Sequence, residues 1–488
     1  MAGRRDQAQA YRFLHRRQTA SLLHGDPDGP DSSVRRLGTA MFSSLLVGAL
    51  LLAGFGIFGL LAPGGATAWR NGKALIVEKG TGSRFIYAGG ALHPVLNYTS
   101  ARLLLGNGLT TSSVSASSLG TVPRGLPVGI PGAPEEIPGT GALLAAPWTA
   151  CSVPANDAAG NVKPYVRLTL GPDGSAGTPL GQAQALLVEA PDGTLYLVWN
   201  DQRFRIGPSY VPAALGYAAA RPLGVGAAWL DTVPQGPDLA APAVSDKGRP
   251  GPTVGGKRAK IGQVFSVTNV GSGTQHYLAL ADGLAPVTET QAALLLYAPH
   301  AAPAQSLTAA EASQAPVSSR RVTSGLPPTP PGLIDSTGEA VAVCAAFTDT
   351  SGASTNVTIT TRVLTPDQLA RTPAGTSPAS PDGGPLADTV TVPSGHAALT
   401  RALPTPGLTG GTLYLVTDLG VKYPLPDAAV LSSLGLAGVT PVPVPTGILS
   451  LLRTGPDLDP HDAAETVPVL PDHNGSPQPQ IPVPAASH

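Results

Sequence analysis

The feature that most constrains the fold is an uninterrupted apolar stretch close to the N-terminus. Residues 41–62 read MFSSLLVGALLLAGFGIFGLLA, and no charged residue occurs from position 38 to position 69. A helix rises 1.5 Å per residue, so this stretch extends for about 33 Å, which is enough to cross the hydrocarbon core of a bilayer. The sequence therefore predicts a single-pass membrane protein with its transmembrane helix at 41–62.

The residues before this stretch are basic. Seven Arg and four Asp give the first 37 residues a net charge of +3, and Arg35 and Arg36 lie at the membrane edge. Because basic residues are retained on the cytosolic side, the N-terminus is predicted to be cytosolic and the region after the helix extracytoplasmic. A cleaved signal peptide is the alternative, since Ala-Thr-Ala at 66–68 resembles a cleavage site. The apolar stretch, however, exceeds the usual length of about 7–15 residues.

The segment 1–40 is predicted to form a cytosolic basic helical arm. A helix of about 20 residues would end at Gly25, where glycine favours termination. Tyr11, Leu14 and Leu22 would then lie roughly on one face of that helix. Such a face can dock on a partner or rest on anionic lipid. A solvated arm without a partner is the alternative.

The rest of the chain has the composition of a turn-rich β protein. Of 488 residues, 59 are Gly and 52 are Pro, and 12% are charged, whereas 42% are hydrophobic. Gly and Pro favour turns and short strands over long helices, and the apolar content is sufficient for a packed core. The net charge of the whole chain is −1, which gives no bias towards nucleic acid, so no nucleic-acid partner is predicted.

The chain contains two cysteines, Cys151 and Cys344. Two are too few for a four-ligand zinc site or a disulfide-rich scaffold. Outside the cytosol, two cysteines in apolar surroundings are expected to be oxidised, and we predict a disulfide between them. Two buried free thiols are the alternative.

Four stretches beyond the apolar segment resemble one another. Each begins with an aromatic and aliphatic run, continues through a polar turn into a second short run, and ends in apolar residues at helical spacing. The pattern predicts a repeated unit of strand, turn, strand and short helix. The stretches are 84–107, 194–217, 275–297 and 412–436.

Strand-like runs between the repeats, at 165–170, 264–269, 340–347 and 357–363, predict a central sheet held by the disulfide. The predicted fold class is thus a membrane protein with an extracytoplasmic β-rich α+β region, in which a central β-sheet core carries four strand-strand-helix repeat domains. The predicted boundaries are 1–40 for the arm, 41–62 for the transmembrane helix, 70–120 for repeat 1, 121–190 for a core segment, 191–245 for repeat 2, 246–310 for a core strand and repeat 3, 311–390 for a core segment with linkers, 391–462 for repeat 4, and 463–488 for a disordered Pro-rich tail.

One stretch has almost the spacing of a nucleotide-binding P-loop. In GPTVGGKRAKIG, Gly251, Gly256 and Lys257 match the pattern, but Arg258 stands where Ser or Thr would hold magnesium. A P-loop leads from a strand into a helix, whereas a strand-like run follows here. The predicted location outside the cytosol also offers little ATP. We therefore interpret these residues as a flexible connector and a weak cofactor-binding candidate.

No other pattern predicts a catalytic residue, a metal site or a cofactor. Asp457, Asp459 and Asp462 could contact calcium but lack the spacing of a calcium loop, so a solvated acidic turn is the favoured interpretation. His93 occupies a repeat position that holds Phe204, an alanine or a tyrosine in the other units, which indicates packing.

Several blocks of this sequence resemble the EccB membrane component of the actinobacterial type VII (ESX) secretion system. They cover residues from about 6 to 463 in the family's order. The blocks are QAYRFLHRR, TGSR with LHPVLNYTSARLLLG, VPRGLPVGIPGAPEEIP, GQVFSVTN with YLALADGLAPVTETQAALLL, and TLYLVTDLGVKYPLPDAAVLSSLGL with LLRTGPDLDP.

This resemblance implies a single-pass protein of the bacterial plasma membrane with four extracytoplasmic repeat domains. It also implies a core disulfide at Cys151 and Cys344, self-association, and partners that are EccC-, EccD- and EccE-like subunits and a mycosin protease. The expected function is that of a structural subunit forming the extracytoplasmic part of the export channel. Some members carry an ATPase label, which makes an extracytoplasmic ATPase one alternative. A membrane-anchored cell-wall-binding protein is the other.

Overall fold

The computed structural model describes residues 3–25, 33–61, 67–157, 159–172, 177–269, 271, 273–322, 325–334 and 340–467. The chain begins with a helix, Arg4–His24, that ends at Gly25 in the left-handed conformation (φ 69°). A second helix, Ser33–Leu61, contains a 21-residue stretch, Leu37–Ile57, that is long and apolar enough to span a membrane and is not buried inside the protein. The predicted single helix followed by a β-rich α+β region is confirmed, although this helix begins eight residues before position 41.

Each of the four repeats is a small sheet of four main strands covered by a helix. The first three strands run antiparallel as a meander, the helix follows, and the fourth strand returns beside the first in parallel. A parallel return requires a crossover, and the helix provides it. The elements are Ala74–Glu78, Arg84–Ala88, Ala91–Pro94, helix Tyr98–Leu105 and Thr110–Val114 in unit 1; Gln184–Glu189, Leu195–Trp199, Gln202–Ile206, helix Val211–Ala214 and Leu223–Gly224 in unit 2; Val264–Asn269, Gly273–Ala279, Leu284–Val287, helix Glu289–Tyr297 and Gln305–Leu307 in unit 3; and Ala397–Leu403, Leu413–Thr417, Val421–Leu425, helix Val430–Ser433 and Val442–Pro445 in unit 4.

A second short helix follows the fourth strand in every unit, and the chain then pairs in parallel with the third strand. The predicted strand–turn–strand–helix pattern therefore covered only the middle of each unit. It missed the last strand of every unit and the first strands of units 1, 2 and 4. It also left Gln184–Glu189 in a core segment, although this strand belongs to the sheet of unit 2. The second helices are Ala116–Leu119, Ala227–Thr232, Ala309–Gln314 and Thr446–Leu449.

A six-stranded sheet lies between the units. Three of the four predicted central strands belong to it, but Val264–Asn269 does not, because that strand opens the sheet of unit 3. In spatial order, the central strands are Thr389–Thr391, Tyr165–Leu170, Trp148–Val153, Val341–Phe347, Thr358–Val363 and Thr178–Pro179.

The largest apolar core, which we call the main core, lies on one face of the central sheet. Trp148, Leu168 and Phe347 point into it from that sheet. Val188 of unit 2 and Val416 of unit 4 enter it from their own sheets. Because alternate residues of a strand face opposite sides, units 2 and 4 use one sheet face for their own helix and the other for the central sheet.

Units 1 and 3 have cores of their own. In unit 1, Trp69 packs with Ile76 and Phe85 on the sheet face opposite the helix. In unit 3, a two-stranded hairpin at 250–260 covers the corresponding face. These units contact their neighbours mainly through their helices, since Leu103 of unit 1 packs with unit 4, and Leu294 of unit 3 packs with unit 2.

The chain returns to unit 1 after unit 4. A helix at Pro460–Ala464 buries Ala463 against the helix of unit 1, and Thr466 pairs with Val128. The predicted start of a disordered tail at 463 was therefore wrong for residues 463–467, because these residues pack and pair. The rest of the predicted tail, 468–488, lies outside the described residues.

Candidate functional site

The P-loop-like residues form a tight β-hairpin. Gly251 lies within the strand Pro250–Val254, and Lys257 begins the antiparallel strand Lys257–Lys260. Gly255 (φ 54°) and Gly256 (φ 75°) form the turn between them. Two consecutive positive φ angles are what a two-residue hairpin turn of this kind requires, and glycine supplies them without steric cost. The predicted flexible connector was wrong, because this Gly-Gly pair is a turn signal.

This geometry differs from that of a nucleotide-binding loop. A P-loop presents free backbone N–H groups at the start of a helix, whereas here the chain goes from strand to turn to strand. Lys257 lies near Glu311, whose carboxylate accepts hydrogen bonds from both the backbone N–H and the hydroxyl of Thr308 at 2.8 Å. These hydrogen bonds, and to a smaller extent the charge of Lys257, lower the pKa of Glu311. The hairpin packs Val254 and Ala259 on unit 3, so its contacts are those of a structural cover.

The two cysteines lie directly opposite each other in neighbouring antiparallel strands of the central sheet. They form a disulfide, with 4.0 Å between their Cα atoms. The disulfide lies on the face opposite the main core, beside Val153, Ala342 and Leu364. It joins the strand Trp148–Val153, which precedes unit 2 in the chain, to the strand Val341–Phe347, which follows unit 3. The two cysteines are 193 positions apart. The bond therefore fixes the two ends of a segment that contains two complete units.

The other residues singled out in the sequence have local structural roles. His93 places Nδ1 2.9 Å from the carbonyl oxygen of Leu126, and its ring occupies the space beside Gly125, where a Cβ would lie 2.3 Å away. Asp459 accepts a hydrogen bond from the backbone N–H of His461 at the start of a short helix. Among the described residues, the group whose ligand atoms lie close enough together to share an ion is His461, Asp462 and Glu465, and all three are exposed. Asp457 and Asp459, which the sequence analysis assigned with Asp462 to a solvated acidic turn, are not part of this group.

The basic arm presents large apolar side chains to its surroundings. Tyr11, Phe13, Leu14 and Leu22 are each more than half exposed, with Leu22 at 85%. Arg12 and Arg16 are exposed on the same helix. An exposed helix with both apolar and basic groups has the chemistry of a docking or interfacial helix.

One residue that joins two units was missed by sequence reasoning. Arg102, on the helix of unit 1, donates from its guanidinium to the carbonyl oxygen of Leu434 in unit 4 at 2.7 Å. The same guanidinium lies over the ring of Tyr98 and beside Gly435 (φ 77°), where a Cβ would meet it at 3.0 Å. The available signal was the motif SLGL in unit 4, whose glycine leaves room for this approach.

Comparison with known proteins places this arrangement in a family. The family profile described as "Type VII secretion system ESX-1, transport TM domain B", EccB, matches residues 2–471. The chain belongs to the EccB family. The EccB3 protein of Mycolicibacterium smegmatis, described as an ESX-3 secretion system ATPase, is 30% identical over 486 residues, which cover 95% of this chain and 92% of that protein. EccB1 of Mycobacterium tuberculosis, described as an ESX-1 secretion system ATPase, is 29% identical over 491 residues, which cover 95% of this chain and 95% of that protein.

Solved EccB structures have the same fold. The EccB3 dimer from the ESX-3 core complex matches with a TM-score of 0.60 and 29% identity, over 80% of this chain and 100% of that chain. A chain of an intact ESX-5 inner membrane complex matches with a TM-score of 0.63 over 99% of this chain and 98% of that chain, and its 24% identity supports the fold alone. The word ATPase occurs in the names of EccB relatives, whereas the P-loop-like residues of this EccB chain form a hairpin.

Proposed function

We propose that this EccB chain is a structural core subunit of a type VII secretion membrane complex and forms the extracytoplasmic part of the export channel. The observation that carries the proposal is the family match over 2–471, which includes the arm, the apolar helix and all four units. The matching solved chains come from ESX core, inner membrane and periplasmic assemblies.

The construction of the chain supports a scaffolding role. A helix able to span a membrane leads into a region where a shared core and one disulfide hold four units together. A closely packed interior is hard to compress and transmits strain, which suits a subunit that must hold the parts of a channel in fixed relative positions. We propose that the basic arm lies in the cytosol and the four units outside it, in agreement with the excess of Arg before the helix.

We also propose that the chain self-associates and binds EccC-, EccD- and EccE-like subunits and a mycosin protease. The exposed apolar and basic groups of the arm offer one surface for such contacts on the cytosolic side. The match to a chain of the EccB3 dimer from the ESX-3 core complex supports the proposed self-association.

Solubilisation of a tagged chain from its own membrane with a mild detergent tests this proposal. The tagged chain is expected to migrate as a very large complex in native gels and to retain the EccC-, EccD- and EccE-like subunits. A matched variant with Arg12→Gln and Arg16→Gln, which removes two exposed charges of the arm, is expected to weaken that retention. Migration of the wild-type chain as a lone monomer would contradict the proposal and favour a cell-wall anchor that works alone.

A further inference from the structure

Unit 1 differs in charge from the rest of the chain that follows the apolar helix. Residues 68–125 contain six Lys or Arg and one acidic residue, Glu78. The residues after position 125 contain 17 Lys or Arg and 26 Asp or Glu, so that part of the chain carries a net negative charge. An asymmetry of this kind indicates that the basic part meets an anionic surface.

Unit 1 is also the unit that the chain enters from the apolar helix. The helix ends at Leu61, and the described chain resumes at Thr67, directly before the 3₁₀ helix Ala68–Asn71. Six residue steps reach at most about 22 Å, so unit 1 must lie close to a membrane that this helix spans. A tether of this length keeps unit 1 at a high effective concentration beside the lipid headgroups.

Two of the arginines of unit 1 lie at the end of the sheet where the chain enters it. The guanidinium of Arg70 lies 5.3 Å from the ring centroid of Trp69, and Trp69 packs edge to face on Tyr87. Tyr87 pairs with Leu92 in the next strand, and Leu92 pairs with Arg124 beyond it. One row of residues across the sheet therefore connects Arg70 with Arg124.

A third cation lies at the same end. Lys73 directly precedes the first strand of unit 1, and its neighbour Gly72 lies so close to this row that a Cβ would be 3.1 Å from the carbonyl oxygen of Tyr87. The side chains of Arg70, Lys73 and Arg124 are all exposed. We call these three residues the basic end of unit 1.

The basic end is not neutralised by the described part of the chain. None of its three cations has a carboxylate of the described residues within ion-pair distance. Glu78 lies at the other end of the first strand, where it accepts a hydrogen bond from the hydroxyl of Thr81 at 2.8 Å. Glu135 pairs with Arg84. Exposed cations without a counter-ion favour contact with an anionic surface.

The basic end also lies away from the contact between unit 1 and unit 4. Unit 1 packs on unit 4 through its helix, from which Leu103 enters the shared cluster. Trp69 and Phe85 lie on the opposite face of the sheet, and the guanidinium of Arg124 lies 4.1 Å from the ring centroid of Phe85. The cations are therefore accessible while unit 1 is attached to unit 4.

We propose that the basic end of unit 1 lies on the membrane and binds the anionic headgroups of its lipids. This proposal rests on the proposed placement of the apolar helix in a membrane, and it adds a lipid contact to the scaffolding role. Arginine and lysine donate charge-assisted hydrogen bonds to phosphate oxygens, and basic residues beside a membrane surface are attracted to anionic lipid. The contact fixes the orientation of unit 1, and through its helix that of unit 4, relative to the membrane.

Fluorescence quenching in lipid nanodiscs tests the proposal with the purified full-length chain. The chain carries a fluorophore on Ala88→Cys, an exposed position that pairs with Ala91 at the same end of the sheet. The label is specific, because Cys151 and Cys344 are joined in the disulfide. Lipids with a nitroxide on the headgroup quench the label when it lies at the membrane surface. Quenching is expected to be stronger in phosphatidylcholine nanodiscs that contain phosphatidylglycerol than in phosphatidylcholine alone, and to weaken as salt is added.

Removal of the basic end is expected to abolish this dependence on anionic lipid. The variant with Arg70→Gln, Lys73→Gln and Arg124→Gln should lower the ratio of quenched to unquenched label at least about tenfold in the nanodiscs with phosphatidylglycerol. Lys73→Glu alone leaves the two arginines on their aromatic rings, so it does not disturb the packing of unit 1. It should lower the same ratio about fivefold.

A matched control removes three exposed cations from outside the basic end. It combines Lys79→Gln, Arg221→Gln and Arg258→Gln. Lys79 follows the first strand of unit 1 at its other end, about 20 Å from Lys73, which is well beyond the screening length at physiological salt. Quenching of the control is expected to stay within about twofold of wild type.

Three results would overturn the proposal. The first is equal quenching of wild type in the two kinds of nanodisc, and the second is equal quenching of the basic-end and control variants. The third is selective release of the label by inorganic phosphate, compared with sodium chloride of equal ionic strength, which would indicate a site for a soluble anion. The native-gel experiment on the complex is independent of these results. A very large complex together with no dependence on anionic lipid would overturn the lipid contact and leave the proposed function intact.

Discussion

Units 2 and 4 differ from units 1 and 3 in how the second face of each sheet is covered. In units 2 and 4 that face packs on the central sheet and contributes to the main core. In unit 1 it is covered by Trp69, and in unit 3 by the hairpin at 250–260. The strand order is the same in all four units, apart from additional edge strands, so the difference lies in the flanking segments.

This contrast explains the role of the segments that precede units 1 and 3, which contain Trp69 and the hairpin at 250–260. A sheet with one uncovered apolar face would expose the face to water at a cost of roughly 25 cal/mol per Å². Units 2 and 4 avoid this cost by packing on the central sheet, whereas units 1 and 3 need a cover from a neighbouring segment of the chain. The P-loop-like sequence is one such cover, and its glycines serve the turn that allows Val254 and Ala259 to lie on unit 3.

The sharpest test of the contrast replaces one buried tryptophan in each kind of unit. Trp229, from the second helix of unit 2, is fully buried in the main core, and Trp69 is 1% exposed in the core of unit 1. Trp229→Ala is expected to lower the free energy of unfolding by about 3–5 kcal/mol. In hydrogen exchange, it should reduce protection in units 2 and 4 and in the central sheet together. Trp69→Ala should reduce protection in unit 1 alone. If Trp229→Ala reduced protection only in unit 2, the contrast between units that share the main core and units with cores of their own would be wrong.

Removal of the disulfide is expected to have the next largest effect. The change of both Cys151 and Cys344 to Ala should lower the free energy of unfolding by about 2–5 kcal/mol, because the unfolded chain regains the freedom of a long closed loop. Denaturant unfolding of the double variant and of reduced wild type should give similar midpoints. Unit 1 lies outside the closed loop, and an equal loss of hydrogen-exchange protection there would show that the units are not separable in this way.

The contact between unit 1 and unit 4 can be weakened without disturbing either core. Arg102→Met keeps the aliphatic stem and removes the hydrogen bond to Leu434, which should cost about 1–3 kcal/mol. Protection from hydrogen exchange should fall at the interface between helix Tyr98–Leu105 and unit 4. The control, Arg221→Met, changes an exposed arginine of unit 2 and should leave the pattern unaltered. Loss of protection throughout the main core would contradict a purely local contact.

The smallest effects are expected at the hairpin turn, where two changes separate a cover from a nucleotide site. Gly256→Ala should lower the stability of unit 3 by about 1–2 kcal/mol, because the turn requires a positive φ. Lys257→Ala should change it by less than about 0.5 kcal/mol, since the side chain is exposed. ATP hydrolysis by wild type and by Lys257→Ala should be equal and at background. A clear loss of hydrolysis in Lys257→Ala would support the ATPase alternative.

Sequence reasoning identified the elements with long or strongly patterned signals. The apolar helix and the arm follow from uninterrupted patterns, and the strand Tyr165–Leu170 alternates clearly between buried and half-buried residues. The first strands of units 1 and 2 were missed because the runs ALIVE and QALLVE bury most of their residues and therefore do not alternate between buried and exposed positions. Both runs also lie before the stretches that resemble one another. The strand Lys257–Lys260 was missed because KRAK exposes three of its four residues and shows no apolar pattern.

The cleft lined by Arg167, Arg362 and Arg371 could not be predicted, because it depends on tertiary structure. Arg167 lies 195 positions before Arg362, and only the strand order of the central sheet and the course of the chain after Val363 bring these two residues and Arg371 to one cleft. The disulfide was accessible to sequence reasoning because the chain contains two cysteines and therefore one possible intramolecular pair.

The return of the chain to unit 1 has a consequence for the whole region after the apolar helix. The backbone N–H of Val467 donates to Pro127, and Leu458 and Ala463 join Leu103 and Ile130 in one cluster. The first and last units are thus in contact with each other, whereas in a linear array they would be separate. Local unfolding that starts at either end must first break contacts between residues that are far apart in the chain. Arg102 and Leu434, for example, are 332 positions apart. Opening of the array at either end therefore requires the loss of the contacts that join unit 1 to unit 4.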